Sequence, residues 1–131
     1  MKIFISYKQT GVDKKILDEK LSLLKDKLSI FCQSSYCLWL DDKPNFYEKN
    51  ILLDKIKHKI KDSDLIVFLV DSNNKSEGQL MELGMAYALW KKIILLVNRE
   101  VKDNYYLAYW TTNKIFEFDN LQNLDFKKIL W

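Results

Sequence analysis

The chain is poor in the residues that punctuate or staple a fold: it has two cysteines, one proline and three glycines in 131 residues. Cys32 and Cys37 have no second pair, and His58 is the one further soft donor. Structural zinc takes about four such ligands, so a zinc site is not expected and both thiols are read as reduced. No apolar run reaches the roughly 18 residues of a membrane span, and the N-terminus shows no charged leader, long apolar stretch and small-residue cleavage site. A cytoplasmic protein with no membrane partner is expected. Arginine occurs once, at Arg99, and the net charge of +3 comes from lysines spread along the chain without a basic block. Nucleic acid is therefore not an expected partner.

What is present is the composition of a globule, 48% hydrophobic and 30% charged. The length fits a single domain over residues 1–131, with about two thirds of its surface shielded from water. Hydrophobic spacing alternates between two periods. Lys2 to Ser6 reads as a strand, and after Gly11 the residues Val12, Ile16, Leu17, Leu21, Leu24 and Leu28 fall at helical spacing. Tyr36 to Leu40 predicts a second strand, Pro44 breaks the chain, and Ile51, Leu52, Ile56 and Ile60 mark one face of a second helix. Leu65 to Val70 is a continuous apolar run that predicts a central strand buried on both faces. Ser76 to Trp90 predicts the third helix and Lys92 to Val97 the fourth strand. Tyr105 to Trp110 reads as a short helix, Lys114 to Phe118 as an edge strand, and Leu121 to Trp131 as a closing helix with Leu124, Ile129 and Leu130 inward.

Strands alternating with helices imply an α/β fold with a parallel sheet and right-handed crossovers, most simply a flavodoxin-like doubly wound sheet of five strands in the order 2-1-3-4-5. Ligands of such sheets bind beyond the carboxyl ends of the strands, where the winding reverses. That places Ser6, Tyr7, Lys8, Gln9 and Thr10, the stretch Asp71 to Ser76, and Asn98 with Arg99 around one crevice. Arg99 or Lys8 could hold a phosphate or pyrophosphate there, Arg99 bidentately.

Two of the three glycines, Gly78 and Gly84, fall in the third helix, where each costs about 1 kcal/mol relative to alanine. They ask for the close approach of a strand or a ligand. Ser76-Glu77-Gly78-Gln79 has the form of a capping box in which Ser76 and Gln79 satisfy amides at the helix start. Glu82 then shares the face of Gly78 and Gln79, near the positive end of the helix, where its carboxylate is expected to stay ionised.

The block Ser76-x-Gly78-x-x-x-Glu82-Leu83-Gly84-x-Ala86, preceded by Ser63-Asp64 and the apolar strand, resembles the nucleoside 2-deoxyribosyltransferase family, which includes the deoxynucleoside monophosphate N-glycosidases. The resemblance implies that Glu82 is the nucleophile that attacks the anomeric carbon and that Ser76 contacts a 5′-phosphate. It also implies a homo-oligomer whose neighbours help close each site. Phe4-Ile5-Ser6-Tyr7, Asp41-Asp42 and Ser76 to Leu83 are similar to a TIR domain as well, which would make NAD the substrate. The chain departs from the deoxyribosyltransferase pattern where a tyrosine of the first strand is replaced by Phe4, and where Ile56 stands at the position of an aspartate, with Asp54 two residues away. Tyr7 could replace the missing phenol in a shifted register.

The function expected from these residues is metal-free cleavage or transfer of an N-glycosidic bond in a nucleoside, nucleotide or NAD, with no cofactor. Glu82 and Tyr7 are the catalytic candidates, and Ser6, Lys8, Asp71, Ser76, Gly78, Asn98 and Arg99 the substrate contacts. A carboxylate beneath the sugar and a donor at the leaving base suffice for the oxocarbenium-like transition state. The alternatives are a non-catalytic nucleotide sensor and a protein-interaction surface built on Trp90, Tyr105, Tyr106, Tyr109 and Trp110.

Overall fold

The computed structural model describes residues 1–8, 11–42, 49–101 and 106–130, with Lys49 described by its backbone. Gln9, Thr10, Pro44, Tyr105 and Trp131 lie outside the described residues. In chain order the elements are β1 (Lys2–Ser6), α1 (Lys14–Ser29), β2 (Ser34–Cys37), α2 (Leu38–Asp42), α3 (Lys49–Asp62), β3 (Leu65–Val70), α4 (Glu77–Ala88), β4 (Lys92–Asn98), α5 (Tyr106–Thr111), β5 (Lys114–Phe118), a 3-10 turn (Leu121–Asn123) and α6 (Phe126–Leu130). The five strands form one sheet in the order β2-β1-β3-β4-β5, and every neighbouring pair is parallel.

Strand alternation divides the core into two layers. Ile3, Ile5, Leu65, Val67 and Leu69 pack against Leu17, Leu21, Leu24 and Leu28 of α1 and against Phe126 and Ile129 of α6. Phe4, Ile66, Phe68, Leu95 and Val97 pack against Ile56 and Ile60 of α3, Leu83 and Ala86 of α4, and Ala108 of α5. β3 is buried at all six positions, as its unbroken apolar run requires. Among the described residues no helix is long and apolar enough to cross a membrane.

Three local expectations need correction. The second strand stops at Cys37 instead of running to Leu40, because the Asp41 carboxylate accepts the Cys37 amide at 2.7 Å and turns the chain into α2. The closing helix is split in two: Asn120 caps the 3-10 turn through the Gln122 amide, and Asp125 starts α6 by accepting from Lys127 N. Ile16 and Ile51, which belong to the helical apolar patterns, are exposed.

Candidate active site

α4 begins at the carboxyl edge of the sheet, where β1 and β3 part. Ser76 is its N-cap and its hydroxyl accepts from Gln79 N at 3.2 Å. The other half of the expected capping box does not form. The Gln79 side chain points inward, and its Nε2 donates to Ser6 O at 3.2 Å and Leu69 O at 2.6 Å. It thus satisfies carbonyls at the carboxyl ends of two neighbouring strands and pins the helix to the switch point. Glu82, three residues on, falls on the same buried face.

A cavity of about 550 Å³ opens over this face. Tyr7, Lys8, Lys75 and Ser76 contribute its polar wall, Glu77, Gly78, Gln79, Met81 and Glu82 its α4 wall, and Leu38, Leu52, Leu53 and Ile56 an apolar end. A Cβ placed on Gly78 would meet only Ser76 Oγ, at 4.0 Å, and one on Gly84 would meet nothing within 4 Å. Neither glycine is therefore needed for packing within the chain. Gly78 keeps the cavity wall low beside Glu82, while Gly84 faces outward.

Glu82 is 8% exposed, and burial raises its carboxyl pKa to about 8 against a small opposing pull from the Ser6 hydroxyl. It is therefore largely protonated at neutral pH, not ionised as its place near the helix start suggested. Helix-dipole stabilisation fades beyond the first turn, whereas desolvation of a buried carboxylate does not. Ser6 itself is completely buried, and its Oγ has no hydrogen-bond partner of normal geometry. Leaving such a hydroxyl unsatisfied costs about 1–3 kcal/mol.

The residues expected around one crevice separate onto the two sides of the sheet. Tyr7, Lys8, Ser76, Gly78 and Glu82 line the cavity, with Ser6 buried beside Glu82. Asp71 and Asn98 instead line a second cavity of about 370 Å³ on the α1 side, with Lys20, Phe118 and Leu121. Tyr7 bridges the two: it lines the first cavity, but its side chain packs in the α1-side core and its hydroxyl donates to Asp71 Oδ1 at 2.9 Å, while Lys20 Nζ holds Asp71 Oδ2 at 2.5 Å. Burial, the Asp71 charge and this hydrogen bond all drive the Tyr7 phenol pKa upward. Arg99 lines neither cavity and pairs at the surface with Asp119 at 3.1 Å and Glu117 at 3.6 Å.

Several wall residues were not named as site residues in the sequence reading, although Lys75 falls in the stretch Asp71 to Ser76 that was placed at the crevice. Leu38, Leu52 and Ile56 carry a helical or strand-like apolar pattern indistinguishable from core, and Lys75 is one lysine among many. Lys75 Nζ lies over the Tyr106 ring, 5.0 Å from its centroid, which holds it at the α4 end of the cavity. Ile56, at the position of the family's aspartate, is 4% exposed at the apolar end, whereas Asp54 is exposed on the outer side of α3.

No protein-family model matches the sequence, and no curated protein matches it. Solved structures do match. The CMP N-glycosidase of Clostridium botulinum superposes with a TM-score of 0.73 at 20% identity, covering 99% of this chain and 98% of that one. The 2-deoxyribosyltransferase of the psychrotolerant bacterium Bacillus psychrosaccharolyticus superposes with a TM-score of 0.65 at 18% identity, covering 98% of this chain and 96% of that one. The chain thus shares its whole fold with both enzymes.

Proposed function

We propose that the protein cleaves or transfers the N-glycosidic bond of a nucleoside or nucleotide in the α4-side cavity, with Glu82 as nucleophile. The observation that carries this reading is a buried carboxyl at the floor of an open cavity, one turn below a helix N-terminus and beside the gap left by Gly78. The whole-chain likeness to a CMP N-glycosidase and a 2-deoxyribosyltransferase supports the same class of reaction.

In this reading the sugar lies over Gly78 and Glu82 and the base occupies the apolar end by Leu52 and Ile56. Lys8, Lys75 and the Ser76 cap form the polar end, which suits a 5′-phosphate better than a bare hydroxyl. Glu82 must first lose its proton. Its carboxylate oxygen then bonds to the anomeric carbon while the C–N bond breaks with its electron pair leaving on the base. Water or a second base finishes the reaction from the glycosyl–Glu82 intermediate, giving hydrolysis or transfer. Besides Glu82, the carboxyl among the described lining residues is Glu77, which stands on α4 and not on α3 with Leu52 and Ile56, so the departing base takes its proton from solvent or arrives with a nitrogen that needs none. NAD is the second reading on that ground, since its pyridinium leaves as a neutral base.

A second copy of the chain is the proposed partner, seated on the outer face of α4. From Gly78 to Trp90 the only charged residue is the buried Glu82. Tyr87 is 61% and Trp90 95% exposed there. A surface helix without a charged face is expected to be covered. Met81, one helical turn before Gly84 on α4, also borders the cavity, so a copy seated there would wall its mouth.

The test is incubation of pure protein with cytidine 5′-monophosphate, the 2′-deoxynucleoside 5′-monophosphates, the corresponding nucleosides and NAD, followed by chromatography for free base and sedimentation of the same sample. Release of nucleobase, faster from the monophosphates than from the nucleosides, is expected from an oligomer. Nicotinamide release alone would select the NAD reading, binding without release would make the protein a sensor, and a monomer would remove the proposed partner.

A further inference from the structure

Ser6 is the last residue of β1, and strand alternation turns it with Phe4 toward the α4 layer. It is completely buried and is not among the residues that line the cavity. A substrate contact is therefore not its role. Its carbonyl is fixed by Gln79 Nε2, which also holds Leu69 O, so the backbone that carries the hydroxyl cannot drift from α4. The hydroxyl nevertheless closes no hydrogen bond of normal geometry, although the Glu82 carboxyl lies close enough to be influenced by it. Buried polar groups left unsatisfied in a native fold are uncommon and mark places where stability is given up for another state.

We propose that Ser6 is a positioning residue for Glu82, its hydroxyl rotating onto the carboxylate when Glu82 loses its proton and so closing in the charged state a hydrogen bond that is open in the neutral one. A hydroxyl carries one donor and an ionised carboxylate is the stronger acceptor, so a rotamer change of the Ser6 and Glu82 side chains closes the pair without backbone movement. Gln79 supports it from behind by fixing Ser6 against the helix that bears Glu82. The donor would also hold one carboxylate oxygen, leaving the other to face the cavity. The inference rests on the Glu82 reading for its catalytic consequence, but not for its effect on ionisation.

Two measurements separate these parts. The first is difference infrared spectroscopy of protein labelled with carbon-13 glutamate, with Glu82→Gln as the blank, which follows the Glu82 carboxyl through pH without any substrate. Ser6→Ala is expected to move the midpoint upward by roughly one pH unit, the effect of losing one charge-assisted hydrogen bond, with the melting temperature equal to or above wild type. Ser6→Cys, a weaker donor, should fall between. The second is base release from cytidine 5′-monophosphate: Ser6→Ala should lower kcat about tenfold at neutral pH with KM nearly unchanged. An unchanged midpoint in Ser6→Ala would overturn the inference, leaving Ser6 a packing residue. If Glu82→Gln released base at the wild-type rate, the proposed function would fall, while the infrared midpoint would still decide the role of Ser6.

Discussion

The carboxyl edge of the sheet opens on two sides, and the two openings differ in kind. The α4-side cavity combines an apolar end with Lys8, Lys75, Glu77 at the start of α4 and a buried, protonated Glu82. The α1-side cavity carries Glu19, Asp71 and Asp119 around Lys20, and its deepest acid, Asp71, is already held by Lys20 and Tyr7. A group whose partners are all in place stays as it is. A buried carboxyl with only a weak pull from Ser6 is held uncharged and costs free energy to ionise. On the proposed function, the chemically poised side is the one left electrostatically unfinished, and the better-paired side serves as a structural clamp.

The largest expected effect that can break this comparison lies in stability against pH. Glu82 has its folded pKa raised to about 8, from an ordinary value of 4.5. The native state therefore binds more protons than the unfolded chain between those values, and stability falls as pH rises from about 4.5 to about 8. Glu82→Gln removes that loss. It should match wild type near pH 4.5 in chemical denaturation and exceed it by a few kcal/mol at pH 8.5, where Glu82 must be buried as a charge. An equal gap at both pH values would mean that folding leaves the Glu82 pKa at its ordinary value.

A smaller effect sharpens the difference between the cavity wall and the outer face of one helix. Gly78→Ala and Gly84→Ala should each stabilise α4 by up to about 1 kcal/mol, because neither new methyl meets an obstacle. Only Gly78→Ala narrows the cavity, so only it should weaken binding of cytidine 5′-monophosphate in calorimetry. If Gly84→Ala weakened binding as much, the ligand would not lie over Gly78.

Much of the fold was legible because its signals are local and periodic. Leu65 to Val70 could only be a strand buried on both faces, and Lys114–Phe118 was read with the bounds it has in the structure. The strand order 2-1-3-4-5, taken as the simplest arrangement of five parallel strands, is the one observed. What escaped depended on individual side chains acting across the chain: Asp41 taking the Cys37 amide ended β2 early, and Asp125 restarted the closing helix.

The site was legible in part for a related reason. Loop position placed Tyr7, Lys8 and Ser76, and helix-face spacing Gly78 and Glu82, in what is one cavity of the structure. It could not sort the two sides of the sheet, a distinction carried by odd and even strand positions: Tyr7 and Asp71 continue the α1 layer, whereas Ser6 continues the α4 layer. Gln79 misled because the capping-box pattern constrains its position, not the direction of its side chain. The ionisation of Glu82 was misjudged because depth of burial is a tertiary quantity.

The most direct test of the central claim is to measure base release from cytidine 5′-monophosphate by Glu82→Gln and Asp71→Asn side by side at pH 8.5. Both changes remove one carboxylate while keeping its size and hydrogen-bonding reach, one in each cavity. The account predicts that Glu82→Gln loses at least about a thousandfold in kcat with little change in KM, since a neutral amide can neither attack the anomeric carbon nor stabilise the cationic transition state. Asp71→Asn should stay within about tenfold of wild type, its loss coming through a loosened Tyr7. Wild-type turnover by Glu82→Gln together with a collapse in Asp71→Asn would place the reaction on the α1 side and contradict the account.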